Sequence, residues 1–290
     1  MLKVILNLEA SDDRRRQTVQ DGAILLYSGS PESIALASLA RDMVCEAFDG
    51  RDPEHAQEAL AVEDFVQIVG PLKTRFTNAP ETKERLRAYL LAMGVDPTVT
   101  YFDVPRLRVV PHSDYLSAGV SYAYKAHRDI WYSSPTAQLN WWLPVWDVSP
   151  DKSMVFYPGY WDTPMPNSSE DFDYGEWVRI GRAAAASQIK EDTRKHPLPL
   201  KALTPAEEFR YGATAGDLVL FSASQLHATA PNTSEATRYS LDFRTVNIED
   251  LRGGRGGPNI DCSARGSTLG DFLRVDDLRP IELTPDLEIA

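Results

Sequence analysis

Apolar positions along the chain change period near Gly94. Before it they recur mostly at helical spacing. Gly22 to Ser28, GAILLYS, is a short apolar run that predicts a strand. Ser30 then fits a helix N-cap and Pro31 the first helical position. Ile34, Leu36, Leu39, Met43 and Val44 follow at helical intervals. Val62 to Phe76 and Thr82 to Met93 predict two more helices, parted by Asn78-Ala79-Pro80. After Gly94, short runs rich in Val, Tyr, Phe, Trp and Thr alternate with Pro, Gly, Asp and Ser clusters. These predict strands over Val99 to Asp103, Arg106 to Val110, Ser121 to Ala126, Gln138 to Trp146, Met154 to Tyr157, Asp217 to Ser222 and Arg238 to Val246. Ala183 to Lys190 reads as a helical insertion. The glycine-rich tail reads as a loop before a short helix. The pattern predicts a helical layer on a β-sandwich rather than a parallel α/β sheet.

Composition narrows the function. The chain has 290 residues, 43% of them hydrophobic, and a formal net charge of −12. That charge argues against nucleic acid and against an anionic membrane surface. No run is apolar enough to insert in a bilayer. The N-terminus lacks a small-residue cleavage site, and the two cysteines, Cys45 and Cys262, make no framework. The expectation is a cytoplasmic protein with reduced thiols and a small-molecule substrate. The oligomeric state is left open, a homodimer included.

Candidate chemistry lies among five histidines. His127 and Asp129, one residue apart, share a face if the segment is extended. His227 ends the strand-like GDLVLFSASQLH. Two histidines and one carboxylate make the facial set used by non-haem Fe(II) oxygenases. A bare H-x-D is common by chance, so the weight falls on the strand after His227. In RYSLDFRTV, Tyr239, Leu241 and Phe243 alternate with Arg238, Ser240, Asp242 and Arg244. Arg238 and Ser240 suit a carboxylate contact. Asp242 and Arg244 are equally consistent with a solvated face. On the strand from Gln138, one face carries Gln138, Asn140 and Trp142. Buried amides need partners, and a bound ligand or backbone would serve. Trp131 and Tyr132, after Asp129, are expected to wall the substrate side. Arg128 is expected to face away in an ion pair, at the surface or behind the ligands. His112 is a loop histidine near the mouth, and His55 and His196 read as exposed. Arg252, Arg255 and Arg265 are candidates to meet an acidic substrate, and the glycines of GGRGGPN could cradle an anion.

These segments together, HRDIWYSSPTAQLNWWLPVWD, GDLVLFSASQLHATAPN and RYSLDFRTV, resemble the Fe(II)/2-oxoglutarate-dependent oxygenases of the phytanoyl-CoA dioxygenase superfamily. The phrasing is most similar to a bacterial branch that includes the 3-deoxy-manno-octulosonic acid hydroxylase. The resemblance covers Val99 to the C-terminus. It implies a mainly β, cupin-like double-stranded β-helix, or jelly roll, in one domain. Residues 1–95 would form the helical layer, 96–250 the jelly-roll core, and 251–290 a C-terminal loop and helix. It implies that His127, Asp129 and His227 bind Fe(II), with O2 as oxidant. It implies that Arg238, aided by Ser240, holds the distal carboxylate of 2-oxoglutarate. Gln138 and Asn140, on the polar strand face, are candidates to contact the co-substrate or substrate. Trp131, Tyr132, Trp142 and Arg244 are the candidate substrate residues.

The expected activity is hydroxylation of an unactivated C–H bond in a small polar metabolite, such as a sugar or sugar acid. Asp129 disfavours halogenation, which needs a small residue at that position. Desaturation, cyclisation or epimerisation of a natural-product intermediate would use the same site. A non-catalytic jelly-roll binding protein would be expected to have lost a ligand or Arg238. A cupin-like hydrolase or isomerase would not need Arg238.

Overall fold

The N-terminal helices form where caps and apolar stripes agree. The computed structural model describes residues 3–182, 184, 187–189, 191–204 and 208–283. Helix α1 spans Asp12–Gln20, α2 Pro31–Phe48, α3 Val62–Asn78 and α4 Pro80–Ala92. Ser30 and Ser33 close a capping box at the start of α2, with Pro31 in its first turn. That satisfies backbone N–H groups the helix cannot pair itself. Ala79 separates α3 from α4, and Pro80 opens α4.

Two sheets follow. The larger contains β1 (Lys3–Leu6), β2 (Ala23–Tyr27), β3 (Thr100–Phe102), β4 (Arg106–Val110), β5 (Leu139–Pro144), β8 (Leu218–Ser222), β10 (Arg238–Asn247) and β11 (Leu273–Arg274). Its order is β1-β2-β8-β5-β10-β3-β11, with β4 also on β10. Only β1 and β2 pair in parallel, joined through α1; every other pairing is antiparallel. The smaller sheet has β6 (Met154–Phe156), β7 (Phe209–Arg210) and β9 (His227–Thr229). Its order is β7-β6-β9.

Period-2 alternation separates the two faces of the larger sheet. Leu139, Trp141, Leu143, Leu218, Leu220, Tyr239, Leu241 and Phe243 join one buried cluster with α2, α3 and α4. Trp141 stacks on Phe243 with ring centroids 5.6 Å apart. On the opposite face, Trp142, Val219 and Phe221 pack against Met154 and Phe156 of the smaller sheet. The result is a mixed, sheet-rich fold with helices on one face of the sheet and a second sheet over the other. Across the ladder, Arg244 pairs with Asn140 and Asp242 with Trp142.

Two expectations change. Ser121 to Ala126 is not a strand. Gly119–Ser121 forms a 3-10 turn, and the segment behind it is irregular. Only isolated bonds tie it to β9, such as Thr229 N–H to the Tyr124 carbonyl at 2.9 Å. In place of the expected tail helix, α6 (Ile248–Arg252) follows β10 at once. Beyond it, a 3-10 turn at Leu269–Asp271 leads into β11. Half of the insertion expected over Ala183 to Lys190 lies outside the described residues. A three-residue helix, α5 (Tyr174–Glu176), continues as a π-helical turn, Trp177–Gly181.

Candidate metal centre

His127, Asp129 and His227 converge between the two sheets. Their ligand atoms all lie within 4.8 Å of one another, and all three residues are buried. Asp129 Oδ1 is 3.2 Å from His127 Nε2 and 3.7 Å from His227 Nε2. Octahedral ligands about 2.1 Å from a metal lie about 3 Å apart, so this spacing suits one ion. His227 opens β9, and His127 forms a β-bridge with it. Asp129 does not continue that extended segment; it starts a 3-10 turn, Asp129–Tyr132. The shared face expected from period 2 is therefore not what aims the pair. The turn swings the carboxylate toward both imidazoles.

Each ligand is held from behind. His127 Nδ1 donates to the Lys125 carbonyl at 2.7 Å, and His227 Nδ1 to the Gln225 carbonyl at 2.9 Å. With Nδ1 protonated, Nε2 keeps its lone pair for a metal. The other carboxylate oxygen of Asp129 accepts from Gln138 Nε2 at 3.1 Å and Arg244 Nε at 3.4 Å. Burial pushes the Asp129 pKa up, but the His127 hydrogen bond and the Arg244 and His227 charges outweigh it. The carboxyl is held well below its usual range. Burial, with repulsion from His127, lowers His227 to about 4. A deprotonated carboxylate beside a neutral imidazole is the protonation a metal requires.

Arg238 lies on the same cavity, one face of β10 carrying Arg238, Ser240, Asp242 and Arg244. It is 2% exposed. One guanidinium nitrogen donates to the Lys152 and Ser153 carbonyls at 3.1 and 3.2 Å. Its Nε and the Ser240 hydroxyl have no hydrogen-bond partner. Among the described residues, no carboxylate pairs with it. Burial, with nearby Arg108 opposing and Tyr211 favouring the charge, lowers its pKa to about 10. Trp142 covers it, with the guanidinium carbon 5.8 Å from the ring centre. A buried cation without a counter-charge is costly, and an incoming carboxylate would remove that cost. The donor set therefore fits a metal beside a small carboxylate ligand.

Among the other expected residues, Gln138, Asn140, Tyr132, Trp142 and Arg244 line this cavity. Gln138 Nε2 also donates to Asn140 Oδ1 at 2.8 Å, leaving Gln138 Oε1 and Asn140 Nδ2 unpartnered. Asp242 and Arg244 are ion-paired rather than solvated: Arg108 clasps Asp242, and Arg244 reaches Asp103 at 3.0 Å. Trp131 is not a cavity wall. It is fully buried in a separate cluster and donates to Asp261 at 2.7 Å. Arg128 does face away, but not at the surface. It is wholly buried on Asp261 at 3.0 Å and bonds three backbone carbonyls. Arg252, Arg255 and Arg265 do not line the cavity; they pair with Glu249, with Asp13 and Asp250, and with Asp173. Gly256 and Gly257 do not cradle an anion. A β-carbon there would meet Thr136 and Ser222 at 2.5 Å, so these glycines allow close packing.

His196 is buried rather than exposed. Its ring stacks on Tyr122 at 3.9 Å, and its Nδ1 is 3.1 Å from the Tyr132 hydroxyl. His112 lies off the cavity with its backbone N–H bonded to Gln57, and His55 is exposed. Sequence reasoning missed the cavity residues Lys73, Arg108, Tyr124 and Arg194. Only the 2-residue period of RLRVV signalled that Arg106 and Arg108 share a face.

No protein-family model matches the chain, and no curated protein matches it. Solved structures do. EvdO2 from Micromonospora carbonacea var. aurantiaca, complexed with 2-oxoglutarate, is 13% identical; the match covers 83% of this chain and 92% of that one, with a TM-score of 0.48. The epimerase SnoN, in complex with Fe3+, α-ketoglutarate and nogalamycin RO, is 16% identical over 90% and 98%, with a TM-score of 0.43. The carbocyclase SnoK from nogalamycin biosynthesis is 16% identical over 88% and 94%, with a TM-score of 0.40. The octulosonic acid hydroxylase branch is not among these three. All three scores fall below 0.5, so the site stands on this chain's own geometry. Among the described residues, no helix is long and apolar enough to cross a membrane.

Proposed function

We propose that the protein is an Fe(II)/2-oxoglutarate-dependent oxygenase on a double-stranded β-helix frame, acting on a C–H bond of a small molecule. The observation that carries this reading is Arg238. A buried, unpaired guanidinium shares a cavity with a His-Asp-His triad. A hydrolase built on the triad alone would have no use for it.

His127 Nε2, Asp129 Oδ1 and His227 Nε2 would hold Fe(II), leaving positions open for co-substrate and O2. Arg238, with Ser240 beside it, would take the distal carboxylate of 2-oxoglutarate. When bound, these groups supply oxidative decarboxylation to succinate and CO2, and with it the power to take hydrogen from an unactivated C–H bond. The chain's own task is positioning and exclusion of water. Gln138 and Arg244 fix the rotation of the Asp129 carboxylate. Trp142 and Phe221 keep the Arg238 side dry, and Tyr132, with Phe172 at 5.2 Å, walls the other side.

Hydroxylation is the proposed outcome. Desaturation, cyclisation and epimerisation share the hydrogen-abstraction step. Product mass separates hydroxylation (one oxygen gained) and epimerisation (no change) from the other two (two hydrogens lost), and a new olefinic signal by NMR separates desaturation from cyclisation. The class itself is tested by adding Fe(II) and 2-oxoglutarate without oxygen. A weak visible charge-transfer band should form. Folded protein that gives no band, and no succinate on exposure to O2, would rule the reading out.

A further inference from the structure

The cavity around the triad measures about 1020 Å³. That is the top of the range usual for small-molecule sites, about 300–1,000 Å³. Its charge is opposite to the chain's. Among the described residues, eight lysine and arginine side chains line it against four aspartates, whereas the whole chain carries a net −12. Six of those cations have carboxylate partners: Arg75, Arg106, Arg108, Arg182, Arg194 and Arg244. Two do not. One is Arg238, already matched to the co-substrate. The other is Lys73, on α3.

Lys73 donates to the Val120 carbonyl, and among the described residues no carboxylate pairs with it. An ammonium has three hydrogens to donate, so two remain. Arg108, Arg194 and Arg106 disfavour its charge and Asp242 favours it. From Arg108 the cavity wall runs to the triad through one ring. The Arg108 guanidinium lies 5.0 Å from the Tyr124 ring centre, and that ring lies 5.4 Å from the His127 ring. Tyr122 packs edge-on against Tyr124 at 4.9 Å.

We propose that Lys73 binds an anionic group of the substrate, a carboxylate or phosphate, while the Tyr122–Tyr124 wall takes a ring that reaches toward the triad. The proposal rests on the oxygenase reading of the centre and names the substrate class: a ring-bearing anion rather than a neutral sugar. Burial and repulsion by Arg108 lower the Lys73 pKa to about 7, with Asp242 opposing. An anion placed there would restore the charge balance that the site lacks.

The test uses the full chain with Fe(II) and saturating 2-oxoglutarate under argon, so that Arg238 is already filled. Three probes share one ring: 1-naphthoate, 1-naphthyl phosphate and neutral 1-naphthalenemethanol. Calorimetry should show at least one anion binding about 10-fold or more tighter than the alcohol. The tighter of the two assigns the head group. Lys73→Gln should erase the preference, and Lys73→Arg should keep it. A second measurement needs no variant: the tighter anion should slow acylation of Lys73, read by peptide mass, and the alcohol should not. An anion preference that survives Lys73→Gln, no preference at all, or no protection of Lys73 overturns the proposal. The charge-transfer band is followed in the same samples. A normal band without anion preference sinks this inference alone, whereas a missing band sinks the oxygenase reading.

Discussion

His127 and His227 exchange two backbone hydrogen bonds, each 2.9 Å long. Reciprocal bonds of this kind mark a directly opposed antiparallel pair. Two ligands distant in sequence are thus set by main chain, and side-chain rotation alone remains to be fixed. The Lys125 and Gln225 carbonyls fix it. Asp129 has no such backbone pair, and its aim depends on Gln138 and Arg244.

The ligand set is tested directly. Asp129→Ala and His127→Ala should lose Fe(II) binding and succinate formation while keeping the fold. Metal titration and circular dichroism check this. Full turnover by either variant would mean that the ligands are misassigned.

Gln138→Leu removes one of two donors from the outer oxygen of Asp129. Partners behind a metal ligand are commonly worth about 10–100-fold in affinity. The Fe(II) dissociation constant should rise by at least about 10-fold, with 2-oxoglutarate affinity less affected. An unchanged iron affinity would show that Arg244 suffices alone.

Arg238→Gln should do the reverse. The 2-oxoglutarate requirement should rise by about 10–100-fold with iron binding little altered, since a bidentate charge contact is lost. Arg238→Lys should rescue only part, because an ammonium cannot offer the planar fork. Steady-state titration of co-substrate separates these cases.

His196 should give stability a pH dependence. Burial, with repulsion from Arg194, lowers its pKa to about 4, against about 6.5 unfolded. Above 6.5 both states are neutral, and its contribution is complete. As pH falls from 6.5 toward 4, the unfolded chain takes up a proton that the folded chain refuses. Stability should drop across that window by roughly 1–3 kcal/mol. His196→Phe keeps the stacking on Tyr122 and should make the profile shallower, with His227, lowered to about 4 as well, keeping the remaining slope. Parallel denaturation curves for the two proteins would contradict this.

Arg128→Met strands Asp261 in the interior. Breaking a buried pair costs about 3–5 kcal/mol. The double variant Arg128→Met with Asp261→Leu should recover only part of that loss, read as melting temperature, because Trp131 Nε1 and the Met165 N–H lose their acceptor and three carbonyls lose their donor.

Local patterns carried the sequence reading a long way. Period 2 along Arg238–Val246 separated the helix-facing residues from Arg238, Ser240, Asp242 and Arg244, because both faces are buried and differ in polarity. His127, Asp129 and His227, which the structure brings together, stood out through the His-x-Asp spacing and the polar face of the strand after His227. What failed was long-range. Arg128 was left between the surface and a place behind the ligands because its partner, Asp261, is far along the chain. His196 looked exposed because its cover comes from Tyr122, Tyr132 and Trp177. Helix α1, DDRRRQTVQ, has almost no apolar stripe and is held instead by Arg16 on Asp250 at 2.6 Å. Lys73 gave no signal, since a lysine on a helix reads as solvated until a cavity is seen beside it.

The Asp261 tie sets an order of events during synthesis. Asp261 grips Arg128, Trp131 and the Met165 backbone, the anchors around the turn that carries Asp129. His127, Asp129 and His227 all leave the ribosome before it does. The nascent chain therefore holds the donors but lacks the tie that anchors the turn carrying Asp129, and long-range closure of this kind is slow. A prematurely ended product would carry the three donors on a turn without its anchor.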